Sequence, residues 1–212
     1  MPFFGGMTLC YSVSLVMDRT LLEERFCAQL IDFLGPLYHV SAFLRPQYPI
    51  IALGNTGCFE NMTWGLIPRW VKGKENAEKI LQKTFNARCE GIFERPSYRE
   101  SVMDRRCLVP VTGFFEWMEH EGKKYPHLIR RKDGDAFALG GLFDEWNGAN
   151  WPIRTFSIIT TPANHLLEKI HNTKKRMPLI FNKDLEKRWL EDNLDKEEVM
   201  KMMATYEEDD LE

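Results

Sequence analysis

The sequence predicts an α+β fold built on an antiparallel sheet. Apolar segments of strand length follow one another through the middle of the chain, separated by turn signals such as Glu121-Gly122 and Asp133-Gly134. Segments with helical spacing lie mainly on either side of this region. Hairpins connect antiparallel neighbours, whereas a doubly wound sheet needs a helical crossover between strands. The pattern therefore favours the antiparallel architecture.

The first elements are a strand and a helix. Residues 10–16 alternate in hydrophobicity as a strand does. Thr20 and Glu23 have the spacing of a capping box, and Gly35-Pro36 predicts where the helix ends. Between them, apolar side chains recur at helical intervals, at Leu22, Phe26, Leu30 and Phe33. We expect this helix to belong to the core and to have no catalytic role.

The remaining elements follow from the same signals. Residues 36–60 carry prolines and glycines between short apolar runs, which predicts loops and short strands. Further strands are predicted over 107–118, 125–130, 137–143 and 155–161, and helices over 77–83, 161–171, 182–189 and 197–206. No repeat or linker interrupts the chain. We therefore expect one domain over residues 10–206, preceded by a leader (1–9) and followed by an acidic tail (207–212).

Length and charge restrict the class of protein. The 212 residues have the composition of a soluble globular protein, and no apolar run is long enough to span a bilayer, so no membrane partner is expected. The formal net charge is −3. Five acids of the tail, which we expect to be frayed, account for this sign: Glu207, Glu208, Asp209, Asp210 and Glu212. Without them the balance is mildly positive, which permits an anionic partner.

The cysteines indicate neither a metal site nor a disulfide framework. The chain has five of them, widely spaced and without a Cys-x-x-Cys pair: Cys10, Cys27, Cys58, Cys89 and Cys107. We expect no cofactor and no metal, and reduced thiols in a cytoplasmic protein. The first residues also lack the basic start and long apolar core of a secretory signal.

The candidate that draws most interest is Glu116, which lies between aromatic residues in an apolar strand segment over 107–118. A carboxyl in an apolar site takes a raised pKa or a partner, and can then exchange a proton near neutral pH. The alternative is that Glu116 points to solvent, since side chains of a strand alternate between its two faces. The segment alone leaves the two interpretations evenly balanced.

Other candidates are individually weak. Trp64 and Trp70 flank a Gly and a Pro in a segment that suits a rigid turn presenting a ring, although tryptophans more often fill cores. Asn86 and Arg88 lie in a mixed polar segment, and four further arginines surround residues 96–106, where solvent exposure is the commoner role. His171 ends a predicted helix beside a basic loop that contains Arg176, but a lone histidine is more often a plain core or surface residue.

Five of these segments occur in an order that resembles the SRAP family (SOS response-associated peptidase), whose members cross-link to abasic sites in DNA. The segments are Cys10-Tyr-Ser-Val, Trp64-Gly-Leu-Ile-Pro68, Phe85-Asn-Ala-Arg-Cys-Glu90, Gly113-Phe-Phe-Glu-Trp117, and Ile170-His171 followed by Arg176-Met-Pro178. The resemblance runs from Cys10 to about Trp189. It implies a twisted, barrel-like antiparallel sheet with flanking helices and a cleft for single-stranded DNA.

The resemblance also implies the site. Cys10, once N-terminal, would form a thiazolidine with the opened sugar of an abasic site, and the catalytic Asn, Glu and His fall on Asn86, Glu116 and His171. DNA-contacting arginines fall on Arg88 and Arg176. The chemistry agrees, since a free α-amine beside a thiol can condense with an aldehyde and close a five-membered ring. We also expect Trp64 or Trp70 to stack a base.

Two features depart from the family pattern. Nine residues precede Cys10, where the family cysteine follows the initiator Met, so the leader must be removed by self-cleavage or another route, or the start lies further along. Residues 172–175 also form a longer spacer between His171 and Arg176 than the family shows. This spacer puts the role of Arg176 in question more than that of His171.

Three functional classes follow from the sequence. The favoured one is covalent capture of abasic single-stranded DNA in the DNA damage response, by a cytoplasmic monomer that associates with the nucleoid when bound to DNA, with autopeptidase and lyase activities. The second is a cysteine peptidase that acts on other proteins, with Cys10 as nucleophile and His171 as base. The third is a non-catalytic single-stranded DNA-binding protein, in which Glu116 would be unnecessary.

Overall fold

The computed structural model describes residues 10–31, 35–148 and 152–212. Its strands are β1 Ser12–Leu15, β2 Leu37–Ser41, β3 Gln47–Ala52, β4 Asn55–Trp64, β5 Asn86–Arg88, β6 Arg106–Val111, β7 Gly113–His120, β8 Lys123–Ile129, β9 Phe137–Trp146, β10 Ile153–Pro162 and β11 Arg176–Pro178. Its helices are α1 Arg19–Phe26, α2 Lys74–Leu81, α3 Ser101–Asp104, α4 His165–Ile170, α5 Lys183–Trp189 and α6 Lys196–Met202.

A closed barrel of five strands forms the centre of the fold. The strand order is β10-β4-β3-β6-β9, and β9 returns to pair with β10. All pairings are antiparallel except β4 with β10. The predicted α+β class and barrel-like sheet are thus confirmed, and the barrel is mixed, since β4 and β10 run in the same direction.

The barrel closes tightly because small residues allow its strands to approach their neighbours. All of β6 is buried, as its continuous apolar sequence predicts, and the ring of Tyr48 inside the barrel donates its hydroxyl to the Pro110 carbonyl at 2.7 Å. On β9, a Cβ on Gly140 would lie 2.6 Å from the Leu179 side chain. A Cβ on Gly141 would lie 2.9 Å from the Cys107 sulfur. Both positions therefore require glycine.

A second sheet lies beside the barrel in the order β2-β1-β7-β8, with all pairs antiparallel. Strands β7 and β8 form the predicted hairpin, whose turn has two left-handed residues, Glu121 and Gly122. This sheet carries Cys10 two residues before β1 and Glu116 within β7. It therefore brings the two ends of the proposed site together.

The first helix differs from its prediction. Asp18, not Thr20, caps α1 and accepts a hydrogen bond from the Thr20 amide at 2.8 Å. The helix ends at Phe26, where Cys27 takes a left-handed conformation, well before Gly35-Pro36. The apolar spacing continued past the helix because Leu30 is buried outside it; Phe33 lies outside the described residues.

The arginines around residues 96–106 include two that are buried and structural. Arg106 is fully buried, and its guanidinium donates to carbonyl oxygens that include those of Trp189 at 3.0 Å and Val102 at 3.3 Å. Arg105 pairs with Asp144 at 3.3 Å. Neither side chain is available to a phosphate, and the solvent exposure that the sequence favoured for these two arginines is wrong.

The acidic tail is docked, not frayed. Leu211 is buried and forms an antiparallel bridge with Arg131, and Glu212 and Arg130 exchange two backbone hydrogen bonds. Acids of the tail pair with the basic residues after β8, with Asp210 lying 2.7 Å from Arg131. Just before the tail, the Tyr206 carbonyl accepts a hydrogen bond at 2.9 Å from Asn164, the N-cap of α4.

Removal of residues 207–212 should lower the melting temperature by about 3–12 °C. Burying a Leu side chain contributes about 1.5–3 kcal/mol, and each kcal/mol shifts the melting temperature by about 2–4 °C in a domain of this size. A variant that keeps Leu211 but neutralises Asp209, Asp210 and Glu212 should lose less, and only at low salt. Thermal melts at low and high salt measure both. A truncated protein that melts like the full chain would show that the tail contributes nothing.

Candidate active site

Four side chains named by the sequence converge between the second sheet and the barrel. Asn86 starts β5, which pairs with β10 of the barrel, and its amide nitrogen donates to the Cys10 carbonyl at 3.0 Å. His171 caps the end of α4, and its Nδ1 lies 3.7 Å from Glu116 Oε2 on β7. When Glu116 is ionised, its negative charge also raises the pKa of the Cys10 thiol. Residues spread over the sequence thus form one cluster.

Glu116 is the most unusual group in the cluster. Its side chain is 1% exposed, on a strand flanked by β1 and β8. No described residue forms a hydrogen bond with Oε1. Burial raises the pKa of this carboxyl to about 8, because the charged form has lost its hydration. Near neutral pH the carboxyl therefore holds a proton that it can give and take back.

The tautomer of His171 follows from its surroundings. The ring is fully buried, and Nδ1 lies 2.8 Å from the carbonyl oxygen of Arg176, which can only accept a hydrogen bond. Nδ1 therefore carries the proton, and Nε2 is the basic nitrogen of the neutral ring. The 3.7 Å between Nδ1 and Glu116 Oε2 is longer than a hydrogen bond, so the two side chains are neighbours that are not bonded to each other through this nitrogen.

The thiol of Cys10 needs a neighbouring group before it can act as a nucleophile. Its side chain is 1% exposed, and burial raises the pKa of the thiol well above its usual value, helped by the charge of Glu116 and partly offset by a hydrogen bond from the Ser12 backbone. The thiol is therefore neutral at physiological pH. A nucleophile at this position needs proton transfer from the sulfur to a neighbouring group.

The position of Asn86 depends on a residue that the sequence did not single out. The hydroxyl of Tyr98 donates to the Asn86 backbone carbonyl at 3.0 Å, and the Tyr98 ring is buried. Asn86 itself is half-buried, and β5 is anchored by its parallel pairing with β10. No local pattern marks Tyr98, because it lies twelve positions along the chain from the residue that it supports.

Of the residues predicted to contact DNA, Arg88 and Trp70 are exposed. Arg88 ends β5, two residues from Asn86, and points to solvent. Trp70 is 45% exposed, with its ring nitrogen bound to the Pro96 carbonyl at 3.2 Å. Both side chains are therefore accessible to a nucleic acid.

The side chains of Trp64 and Arg176, in contrast, are buried and not accessible to a nucleic acid. Trp64 is fully buried, stacked on Phe156 at 5.7 Å between ring centroids, with its nitrogen donating to the Phe85 carbonyl at 3.0 Å. Arg176 forms a two-pronged ion pair with Glu90 and donates to the Thr160 carbonyl at 2.6 Å. Trp64 therefore belongs to the core, and Arg176 joins β11 to β10. The expectation that these two side chains contact DNA directly is therefore wrong.

Comparisons of the sequence and the structure with known proteins identify the family. A family model described as SOS response associated peptidase (SRAP) matches residues 10–212. The chain belongs to the SRAP family. The matched region begins at Cys10 and spans all four residues of the cluster.

SRAP relatives include proteins from bacteria and animals. The abasic site processing protein YoqW of Bacillus subtilis (strain 168) is 38% identical over 181 residues, covering 82% of this chain and 78% of the relative. The abasic site processing protein HMCES of Gallus gallus is 31% identical over 154 residues, covering 62% of this chain and 44% of that longer protein.

Solved structures share the fold. An X-ray structure of a protein from Bacteroides thetaiotaomicron superposes with a TM-score of 0.91 at 37% identity, covering 96% of this chain and 90% of the other. A protein from Bordetella bronchiseptica superposes with a TM-score of 0.83 at 22% identity, covering 95% and 97%. At that lower identity the second match supports the fold alone.

Two further observations concern cofactors and membranes. Within residues 10–31, 35–148 and 152–212, no group of three His, Cys, Asp or Glu side chains is arranged to hold a metal ion. No helix in the same described part of the chain is long and apolar enough to cross a membrane.

Glu116→Gln should stabilise the protein increasingly as the pH rises from about 4.5 to about 8. The carboxyl has a higher pKa folded than unfolded, so its ionisation in the unfolded chain lowers the free energy of unfolding across this window. Gln does not titrate and escapes this loss. Melting temperatures of both proteins over this range measure the difference, with the exposed Glu78→Gln as control. A constant difference would mean that Glu116 titrates at its ordinary pKa.

Proposed function

We propose that this protein processes abasic sites in single-stranded DNA by forming a covalent thiazolidine cross-link through Cys10. The observation that supports this most is the buried Glu116 carboxyl, with a pKa of about 8, acting on Cys10 in a cluster completed by Asn86 and His171. The relatives named abasic site processing proteins point to the same substrate.

The proposed chemistry has two steps. The α-amine of Cys10 attacks the aldehyde carbon of the opened sugar, and loss of water gives an imine. The sulfur then adds to the imine carbon, and the thiol proton ends on the nitrogen, which closes the five-membered ring. Glu116 transfers protons in both steps, since water can leave only after the hydroxyl is protonated.

His171 and Asn86 have supporting roles in this proposal. The neutral His171, with its proton on Nδ1, uses Nε2 to accept or return a proton at a sugar hydroxyl. The side-chain amide of Asn86 binds the backbone carbonyl of Cys10, and this contact orients the α-amine of Cys10. The imine also acidifies the adjacent sugar carbon, so loss of a proton there would eliminate the 3′ phosphate. This is the lyase activity that we expect.

The mechanism requires that Cys10 become N-terminal. In this sequence its nitrogen is the amide of the Leu9–Cys10 peptide bond, which is not nucleophilic, and residues 1–9 lie outside the described part of the chain. We propose that hydrolysis of this bond removes the leader, by the chain's own activity. Glu116 is close enough to influence the Cys10 thiol, and is therefore placed to transfer protons in this cleavage too.

We further propose that Arg88 contacts a phosphate and Trp70 contacts a base near the abasic site, since both are exposed. Arg176 and Trp64 support the site through their contacts inside the protein. We propose a cytoplasmic monomer, associated with the nucleoid when engaged, that acts in the DNA damage and SOS responses.

The two other classes have less support. A peptidase acting on other proteins starts with attack by a thiolate, whereas burial raises the pKa of the Cys10 thiol; thiazolidine formation starts with the α-amine instead. A non-catalytic DNA-binding protein gains nothing from burying the carboxyl of Glu116, which costs stability.

Cross-linking to an abasic oligonucleotide tests the proposal. Cys10→Ala should give no covalent product, because the sulfur is gone and the imine cannot be trapped as a ring. Glu116→Gln should slow cross-linking by about 10²–10⁴-fold, with DNA affinity nearly unchanged, because it removes only proton transfer. Denaturing gels and intact-mass analysis measure the product.

The same experiment contains its controls. The product should have the mass of the chain from Cys10 onward plus the oligonucleotide, less one water. A cross-linked protein that keeps residues 1–9 would exclude the thiazolidine. Because Glu116→Gln and leader removal are linked in this proposal, the variant is also prepared with Cys10 already N-terminal.

Arg88→Ala should weaken binding to single-stranded DNA about equally for all flanking sequences. The loss of one phosphate contact should lower the slope of log K against log salt by about one unit or less. Titrations over several salt concentrations measure this slope, with Arg19→Ala, another exposed arginine, as the control. A loss confined to certain flanking bases would indicate base recognition instead.

A further inference from the structure

We propose that Asn172 is a positioning residue that fastens His171 to the strand that carries Glu116. This inference rests on the proposed function for its catalytic consequence. Asn172 lies in the spacer of residues 172–175, the segment by which this chain departs from the family pattern. The spacer thus has a task that its sequence did not reveal.

The contact of Asn172 imitates the pairing of strands. Its side-chain amide nitrogen donates to the Glu119 carbonyl at 2.8 Å, and its side-chain oxygen accepts from the Glu119 amide at 3.1 Å. Glu119 lies on β7, three residues after Glu116. Both backbone groups of one β7 residue are therefore bound by one side chain, which fixes the loop in register with the strand.

The rest of the spacer is tied only to its own side of the site. The Lys175 amide donates to the His171 carbonyl at 2.9 Å, and the Lys175 carbonyl accepts from Ala163, just before α4, at 3.0 Å. Lys175 takes a left-handed conformation that closes this turn. Among the described residues, the hydrogen bonds of residues 172–175 reach β7 only through Asn172.

The contact of Asn172 affects the distance between the side chains of His171 and Glu116. His171 immediately precedes Asn172, and its Nδ1 lies 3.7 Å from Glu116 Oε2. Without the two bonds to Glu119, the turn that ends α4 is free to move away from β7, and water can enter beside Glu116. A displacement of about 1 Å in a catalytic group is enough to slow a reaction severely.

The charge state of Glu116 reports such a movement. The groups that face or act on it are the Cys10 thiol and Tyr11 phenol from β1 and its approach, and His171 from α4, while His127 lies opposite on β8. Desolvation is what raises the pKa of Glu116. Entry of water should therefore lower that pKa toward its ordinary value.

The test compares Asn172→Ala and Asn172→Asp with the wild type. Asp keeps an acceptor for the Glu119 amide but sets a carboxylate against the Glu119 carbonyl, so it should weaken the contact in a second way and serves if the Ala variant folds poorly. Asn55→Ala is the matched control, since it removes an exposed side-chain hydrogen bond to Glu60. Carbon-13 NMR of the glutamate carboxyls follows Glu116 over a pH titration without DNA, and single-turnover gels with abasic oligonucleotide give the cross-linking rate.

We expect the Glu116 titration to move to lower pH in both Asn172 variants, and the cross-linking rate to fall about tenfold, with DNA affinity unchanged. The Asn55 variant should show neither effect. A lower melting temperature with an unchanged Glu116 titration would overturn the inference, whatever happens to the rate. If the wild type forms no cross-link, the proposed function fails, but the titration still decides the role of Asn172.

Discussion

The arrangement of the rest of the structure depends on the burial of one carboxyl, that of Glu116. Glu116 lies within an extended strand flanked on both sides, and its ionised form is disfavoured there by several kcal/mol. The fold tolerates this cost because the strand is anchored by β1 and β8 and faces a fully buried histidine. Strain of this kind persists only where the surrounding structure holds it firmly.

The supporting residues are as informative as the four at the centre. Arg176 has a charge that suits phosphate, yet it is committed to Glu90 and Thr160, while its carbonyl orients His171. Its role is to join β10 and β11 and to set a tautomer. An arginine beside a candidate active site can therefore act entirely through its neighbours.

The sequence predicted the fold class and most strands, because hydrophobic alternation and turn signals depend on adjacent positions. The four residues that the family resemblance implied lie close together in the fold, and their catalytic roles stay predictions. The sequence did not predict features that depend on contacts between segments far apart in the chain. Trp64 belongs to the core because Phe156 lies opposite it, and Arg106 is buried because α5 ends above it. The end of α1 was misplaced because Leu30 is buried without being helical. Asn172 and Tyr98 gave no signal, since their partners are reached only through the folded chain.

The contact between Asn164 and Tyr206 bears on the order of events during synthesis. Asn164 caps α4, the helix that presents His171, and its side chain also holds the Tyr206 carbonyl near the carboxyl end of the chain. Strand β10 likewise pairs with segments from both halves of the sequence. During synthesis the chain therefore completes the surroundings of His171 only after residue 206 has emerged from the ribosome, long after Cys10 has done so.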